Sequence, residues 1–337
     1  MSIFRRNILN FIIYILAFLK NAIYGLSIFF TSSLTASTDV LDILALRFLM
    51  SFVVFWLLKV CGIFKIKLGV KDFFVKNERT PYIKNLLLTA IFEPVLYMIF
   101  ETCGISMTTG ITAAVILSLA PITSCIFEII FLKENASFAK KIFLLLGIVG
   151  VVFIAVNTKS SEGKDTLLGI LMITCAVITG SLYSVFSRKS SKAFSGMEIS
   201  YFTALLGALI FNSVNIVRHL IRGDILHYFD PYFNWENLIG FVFLAVVSTI
   251  VATSMNNYAL SKMQVSTMAA FSGVSTFTTI IVGVIFFNEK LYYFHIIGLT
   301  LIVIRMVGVT CISIKKQAKI KAEKATDIQA LTNTNKT

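Results

Sequence analysis

Glu93, Tyr97 and Glu101 stand at i, i+4 and i+8 inside the apolar stretch "LLLTAIFEPVLYMIFETCGI" (86–105), a spacing that puts all three on one face of a helix. Lys20, Tyr24, Ser27 and Thr31 make a second stripe in "ILAFLKNAIYGLSIFFTSS" (15–33), and Arg47 and Asn256 add a guanidinium and an amide in further apolar stretches. Carboxylates, an ammonium and phenols arranged this way could bind a charged group, exchange a proton, or pair with one another. Enzymatic chemistry has no comparable footing. The cysteines (Cys61, Cys103, Cys125, Cys175, Cys311) and the histidines are scattered without metal-ligand or redox spacing, so no metal centre, no cofactor and no enzyme activity are expected.

The elements that must carry these groups follow from composition. Hydrophobic residues are 57% of the chain, charged residues 14%, and the mean hydropathy is +0.86. A soluble domain would have about a quarter of its residues charged; a chain this apolar belongs in lipid, where about 20 residues span the hydrocarbon core as a helix. Ten such segments are predicted, at roughly 8–32, 40–60, 82–103, 111–132, 139–158, 165–187, 197–218, 236–258, 264–288 and 291–314. The basic N-terminus resembles a signal peptide, but its apolar stretch is too long and lacks a small-residue cleavage site, so it is read as the first span. The net charge of +13 raises the question of nucleic acid. Its placement answers that: loop Lys and Arg fall overwhelmingly on the side holding both termini. This positive-inside bias predicts cytoplasmic termini in a cytoplasmic membrane and no nucleic-acid partner.

The chain repeats itself. Shifting it by 155 residues brings Gly25 onto Gly180 and Ser32 onto Ser187, and later Thr112 onto Thr267, Thr123 onto Thr278 and Glu134 onto Glu289. Each unit holds five spans, so the second is inverted relative to the first, an architecture that recurs in secondary transporters with sites at the bilayer midplane. The expected fold is an all-α integral membrane protein of ten transmembrane helices, two inverted five-helix repeats (8–158 and 165–314) around a central cavity, followed by a disordered cytoplasmic tail at 315–337. The connecting loops leave no room for an ATP-hydrolysing domain, so any carrier activity would draw on gradients or exchange.

Four stretches carry a family likeness: "AIYGLSIFFTSSL", "LALRFLMSF", "LYSVFSRK" and the long run "YMIFETCGISMTTGITAAVILSLAPITSCIFEIIFLKE". With them the chain resembles the EamA-type branch of the drug/metabolite transporter superfamily over residues 10–314. The resemblance implies ten spans in two inverted repeats and a carrier of metabolites or drugs, often an exporter of amino acids or related compounds. It also allows pairing into a homodimer through the fifth and tenth spans. The chain departs from the family pattern in having Tyr24-Gly25 for Trp-Gly, Arg305 where a small residue is expected in the last span, and Thr276 where the first repeat has Pro121.

Ionisable groups in a bilayer are costly, about 2.5–3.5 kcal/mol or more at its centre, and normally face a cavity or a partner. Lys20, Tyr24, Ser27, Arg47, Glu93, Tyr97, Glu101 and Asn256 are therefore the expected substrate pathway, with Glu93 binding a cationic group or exchanging a proton as coupling ion. A buried Lys20–Glu93 ion pair that only fixes packing is the alternative. Arg47 is placed to pair with Glu101 or to snorkel to the outer surface. Pro94 and Pro121 lack an N–H and are expected to kink their helices and to free the carbonyls of Ala90 and Leu117. Glu128 is expected to be solvated or in a surface ion pair, and Glu134 and Glu289 to favour the start of the following helix. The leading reading is a secondary carrier of a small molecule working by alternating access; a non-transporting membrane receptor or scaffold is the competing one.

Overall fold

The computed structural model describes residues 2–64, 66–69, 71–74, 78–134, 137–157, 166–286 and 292–334; Glu289 and the ends of several expected spans lie outside them. Within the described residues the chain is helical, with no strand, as lipid requires of a backbone that must satisfy its own hydrogen bonds. Nine of these helices are long and apolar enough to cross a membrane. A tenth, Phe138–Asn157, occupies the position of the fifth span.

Numbered as spans, the helices are α1 (Ser2–Thr35), α2 (Val40–Val60), α3 (Thr80–Ser106), α4 (Gly110–Leu117 and Ala120–Leu132) and α5 (Phe138–Asn157). The second half supplies α6 (Leu167–Ser190), α7 (Gly196–Arg222), α8 (Trp235–Leu260), α9 (Val265–Ala270 and Ser272–Phe286) and α10 (Tyr293–Thr334). The last helix continues to Thr334, through most of the tail for which the sequence predicts disorder.

Short polar residues start these helices. Asp39, Thr109 and Thr166 each accept a hydrogen bond from a backbone N–H of the first turn. Ser195 and Glu198 form a reciprocal capping box at α7, which satisfies donors the helix leaves free. Burial runs opposite to that of a water-soluble protein. Phe18, Trp56, Leu145, Val149, Ile285 and Val307 are exposed, whereas Ser51, Ser187, Asn215, Asn257 and Arg305 are fully enclosed.

The packing repeats with an offset of five helices. α1 lies against α8 and α9, and α6 lies against α3 and α4; α2 packs on α7, and α5 on α10; α2 also meets α8, while α7 meets α3. Exchanging each helix for its counterpart five places on returns the same set of neighbours, as two inverted repeats related by a pseudo-two-fold axis should. At Gly25 the approach of α1 to α9 is so close that a Cβ would stand 2.5 Å from the Ser275 carbonyl oxygen.

Both repeats break their helices at matching places. α3 contains a π-type segment at Ile91–Leu96, within which Glu93 is extended (φ −142°, ψ 122°). The same offset lays that segment inside the π-type segment Phe243–Ala252 of α8. Span four is interrupted at Ser118–Leu119 and span nine at Phe271. Pro94 thus stands in an irregular segment and Pro121 in the first turn of a restarted helix.

Candidate functional site

Between the repeats lies a cavity of about 130 Å³ to which α1, α2, α3, α4, α6, α8 and α9 all contribute. The two polar stripes converge on it: Lys20, Tyr24 and Ser27 from α1 face Glu93, Tyr97 and Glu101 from α3. Arg47 and Asn256 complete the set, so all eight residues picked from the sequence line this one space. Thr31, the remaining member of the first stripe, is buried elsewhere.

Among the described residues the charged groups of the cavity form no ion pair with one another. Lys20 is 8% exposed and its Nζ lies 4.7 Å from the centre of the Tyr24 ring, a cation–π contact. Among the described residues no ion pair joins it to Glu93, so the packing-only ion pair allowed by the sequence does not form. The extended backbone at Glu93 interrupts the helix and sets its side chain at the cavity. Glu101 accepts a hydrogen bond of 2.5 Å from the Tyr97 hydroxyl. Tyr24 Oη is 3.3 Å from Thr253 Oγ1, and the Ser27 hydroxyl turns back to donate to the Tyr24 carbonyl at 2.9 Å.

Arg47 departs from expectation. It neither pairs with Glu101 nor reaches the surface: it is 3% exposed. Its Nε donates to Thr249 Oγ1 at 3.0 Å and its Nη2 to Ser248 Oγ at 3.3 Å. Ser248 and Thr249 are the offset counterparts of Glu93 and Pro94. The irregular segment of the second repeat therefore offers hydroxyls where that of the first offers a carboxylate. The 155-residue offset that sets Asn256 on Glu101 makes that substitution legible at Glu93 as well. Less accessible to sequence reasoning were Tyr183, Ser124, Ser181, Ser272 and Ser275, which also line the cavity but carry no charge to mark them out.

Near one end of the bundle a polar belt joins the repeats. Glu128 is 2% exposed, not solvated. It accepts from the backbone N–H of Val265 at 2.9 Å and from the Ser266 hydroxyl, and meets Arg188 Nη1 at 3.5 Å. It thereby caps the start of α9, a favourable place for a carboxylate. Glu134 pairs with Arg188 at 2.7 Å and accepts from Gln264, so its partners lie on α6 and before α9. At the opposite end Arg218 bridges Asp39 and Asp42, and His219 sits between Asp42 and Asp224, tying α7 to α2.

The model of the EamA-like transporter family matches residues 11–156 and 167–312, one match per repeat. The chain belongs to the EamA-like transporter family. It is 30% identical over 306 residues to the uncharacterized transporter YcxC of Bacillus subtilis (strain 168), covering 91% of this chain and 95% of that one. To YetK of the same organism it is 24% identical over 263 residues, covering 77% and 74%. A solved crystal structure superposes with a TM-score of 0.63 at 14% identity over 89% of this chain and 97% of that one, a likeness of fold. This EamA-like chain is thus a multi-pass membrane protein of a transporter family, within the drug/metabolite transporter superfamily.

Proposed function

We propose that this protein is a secondary-active exporter that carries a small amino-acid-like or drug-like metabolite across the cytoplasmic membrane by alternating access, with both termini inside. One observation carries the reading: Lys20, Arg47, Glu93 and Glu101 line a single cavity, yet no ion pair links them among the described residues. Charges kept apart in a low-dielectric cavity are available to a ligand that brings the complementary groups. A zwitterion supplies both, its carboxylate toward Lys20 and Arg47 and its ammonium toward Glu93. The charges come from the first repeat alone, because their offset counterparts are Cys175, Phe202, Ser248 and Asn256. The cargo's apolar part then faces Ala176, Val177, Met268 and Ala269.

Protons are the proposed coupling ion, with Glu93 as the exchanging group. A panel of amino acids, their derivatives and cationic drugs, assayed for efflux and uptake in reconstituted vesicles with and without a proton gradient, tests cargo, direction and coupling together. Glu93→Gln and Lys20→Ala are expected to abolish flux while the protein remains folded. Flux at the wild-type rate in both variants removes these residues from the site.

A further inference from the structure

Arg305 lies at the middle of the apolar stretch Ile296–Lys315 of α10 with 0% exposure and, among the described residues, with no carboxylate partner. Its Nη1 donates to the Ser118 carbonyl at 2.6 Å and its Nη2 to the Ser272 hydroxyl at 3.4 Å, while Nε has no acceptor. Those two acceptors are the ends of the two helix breaks. Ser118 closes the first half of α4, and Ser272 opens the second half of α9. A helix C-terminus carries partial negative charge and is stabilised by a cation, so the end of Gly110–Leu117 supplies part of what a carboxylate would.

α5 makes room for this arrangement. At Gly147 a Cβ would overlap Arg305 Cδ and stand 2.9 Å from Nε, so only glycine leaves the slot through which the side chain passes. Beyond the breaks, the restarted helices carry Ala120 and Ser124 on one side and Ser272 and Ser275 on the other, all of them cavity-lining. Ser272 therefore touches both the guanidinium and the cavity.

We propose that Arg305 is a positioning residue: from behind the cavity wall it ties the break of α4 to the break of α9, and so sets how far apart the two repeats hold their walls around the cargo. The proposal rests on the cavity being the cargo path for its meaning in transport. Its tests use no cargo, so failure of the flux assay and failure of this tie are told apart.

In a cysteine-free background, spin labels at Ile126→Cys on α4 and Ile281→Cys on α9, both lipid-facing, report the separation of the two walls by pulsed electron resonance. In the same background a single Ser275→Cys reports access to the cavity by an impermeant methanethiosulfonate reagent. With Arg305 present, one narrow distance distribution and slow labelling are expected. Arg305→Met removes the tie without leaving a buried charge, and Gly147→Ala displaces the guanidinium without removing it. Each is expected to broaden the distribution and to speed labelling roughly tenfold, the scale of a coupling between sites. Arg305→Lys, which lacks the planar fork, is expected to fall between Arg305 and Met. Where one of the two main variants fails to fold, the other decides. An unchanged distribution and labelling rate in folded variants, even with a lowered melting temperature, overturns the proposal by leaving Arg305 a packing group. Loss of folding in both variants also overturns it, since a positioning role requires a folded protein with altered walls.

Discussion

Asn256 and Asn257 are neighbours in sequence with different surroundings. Asn256 lines the cavity. Asn257 is fully buried, accepts from the hydroxyls of Tyr183 at 2.6 Å and Ser187 at 2.7 Å, and donates to Ser200 at 2.9 Å, so one amide binds α6, α7 and α8 together. Removing it strands buried partners, each at a cost of about 1–3 kcal/mol. Asn257→Ala is accordingly expected to lower the melting temperature in detergent markedly, whereas Asn256→Ala should leave melting near wild type and change flux. Equal melting shifts in the two variants would contradict this division. Sequence reasoning could mark Asn256, because the offset sets it on Glu101. It could not assign Asn257, because the groups that satisfy it come from two other helices. The same limit explains Arg47, Glu128 and Arg305. Their presence in apolar stretches was legible as charge in the wrong place, but apart from Arg188 beside Glu128 their hydrogen-bond partners are hydroxyls and backbone groups that carry no signature in sequence.

At the scale of elements, the two prolines occupy different contexts. Pro121 falls in the first turn of Ala120–Leu132, where a missing N–H is tolerated. Span nine breaks at the matching region with Thr276 in place of proline, its hydroxyl donating to the Ala114 carbonyl at 3.3 Å. The break therefore has causes beyond proline, and Pro121→Ala is expected to keep the break and to cost about 1 kcal/mol of stability, the usual scale of a single substitution. Pro94 is different, because a residue preceding proline is biased away from helical angles, and Glu93 is extended there. Pro94→Ala lets Ala90 regain a donor and Glu93 return to the helix, turning its carboxylate from the cavity. Flux should fall while the melting temperature holds or rises; intact flux with a lowered melting temperature would point to a packing role alone. The positions of both breaks were legible from proline and helical spacing. The irregular segment of α8 was not, since "FLAVVSTIVA" reads as uninterrupted helix and only its offset from α3 marks it.

For the molecule as a whole, alternating access requires that one end of the bundle part while the other stays closed. The end joined by Glu128, Arg188, Glu134 and Gln264 holds α4, α6 and the start of α9 together. Lys140 adds α5 by donating to Gln264 at 3.0 Å and to Ser266 at 2.5 Å. In the proposed orientation this belt faces the cytoplasm, and an exporter must open it to load cargo. Glu128 is the member that holds the backbone itself, through the Val265 N–H. Replacing it by glutamine keeps an acceptor but leaves Arg188 with Glu134 as its remaining carboxylate partner. It also forfeits the stronger bonds that a charged acceptor makes. Glu128→Gln is therefore expected to speed amide hydrogen exchange across Val265–Ala270. Exchange around Ile225–Phe233, at the far end beyond the Asp42–His219–Asp224 cluster, should stay at the wild-type rate. Local opening of this kind is the low-stability motion from which gating is drawn. Faster exchange at both ends would instead mean that Glu128 supports the whole fold, and no change at either end would remove it from the gate.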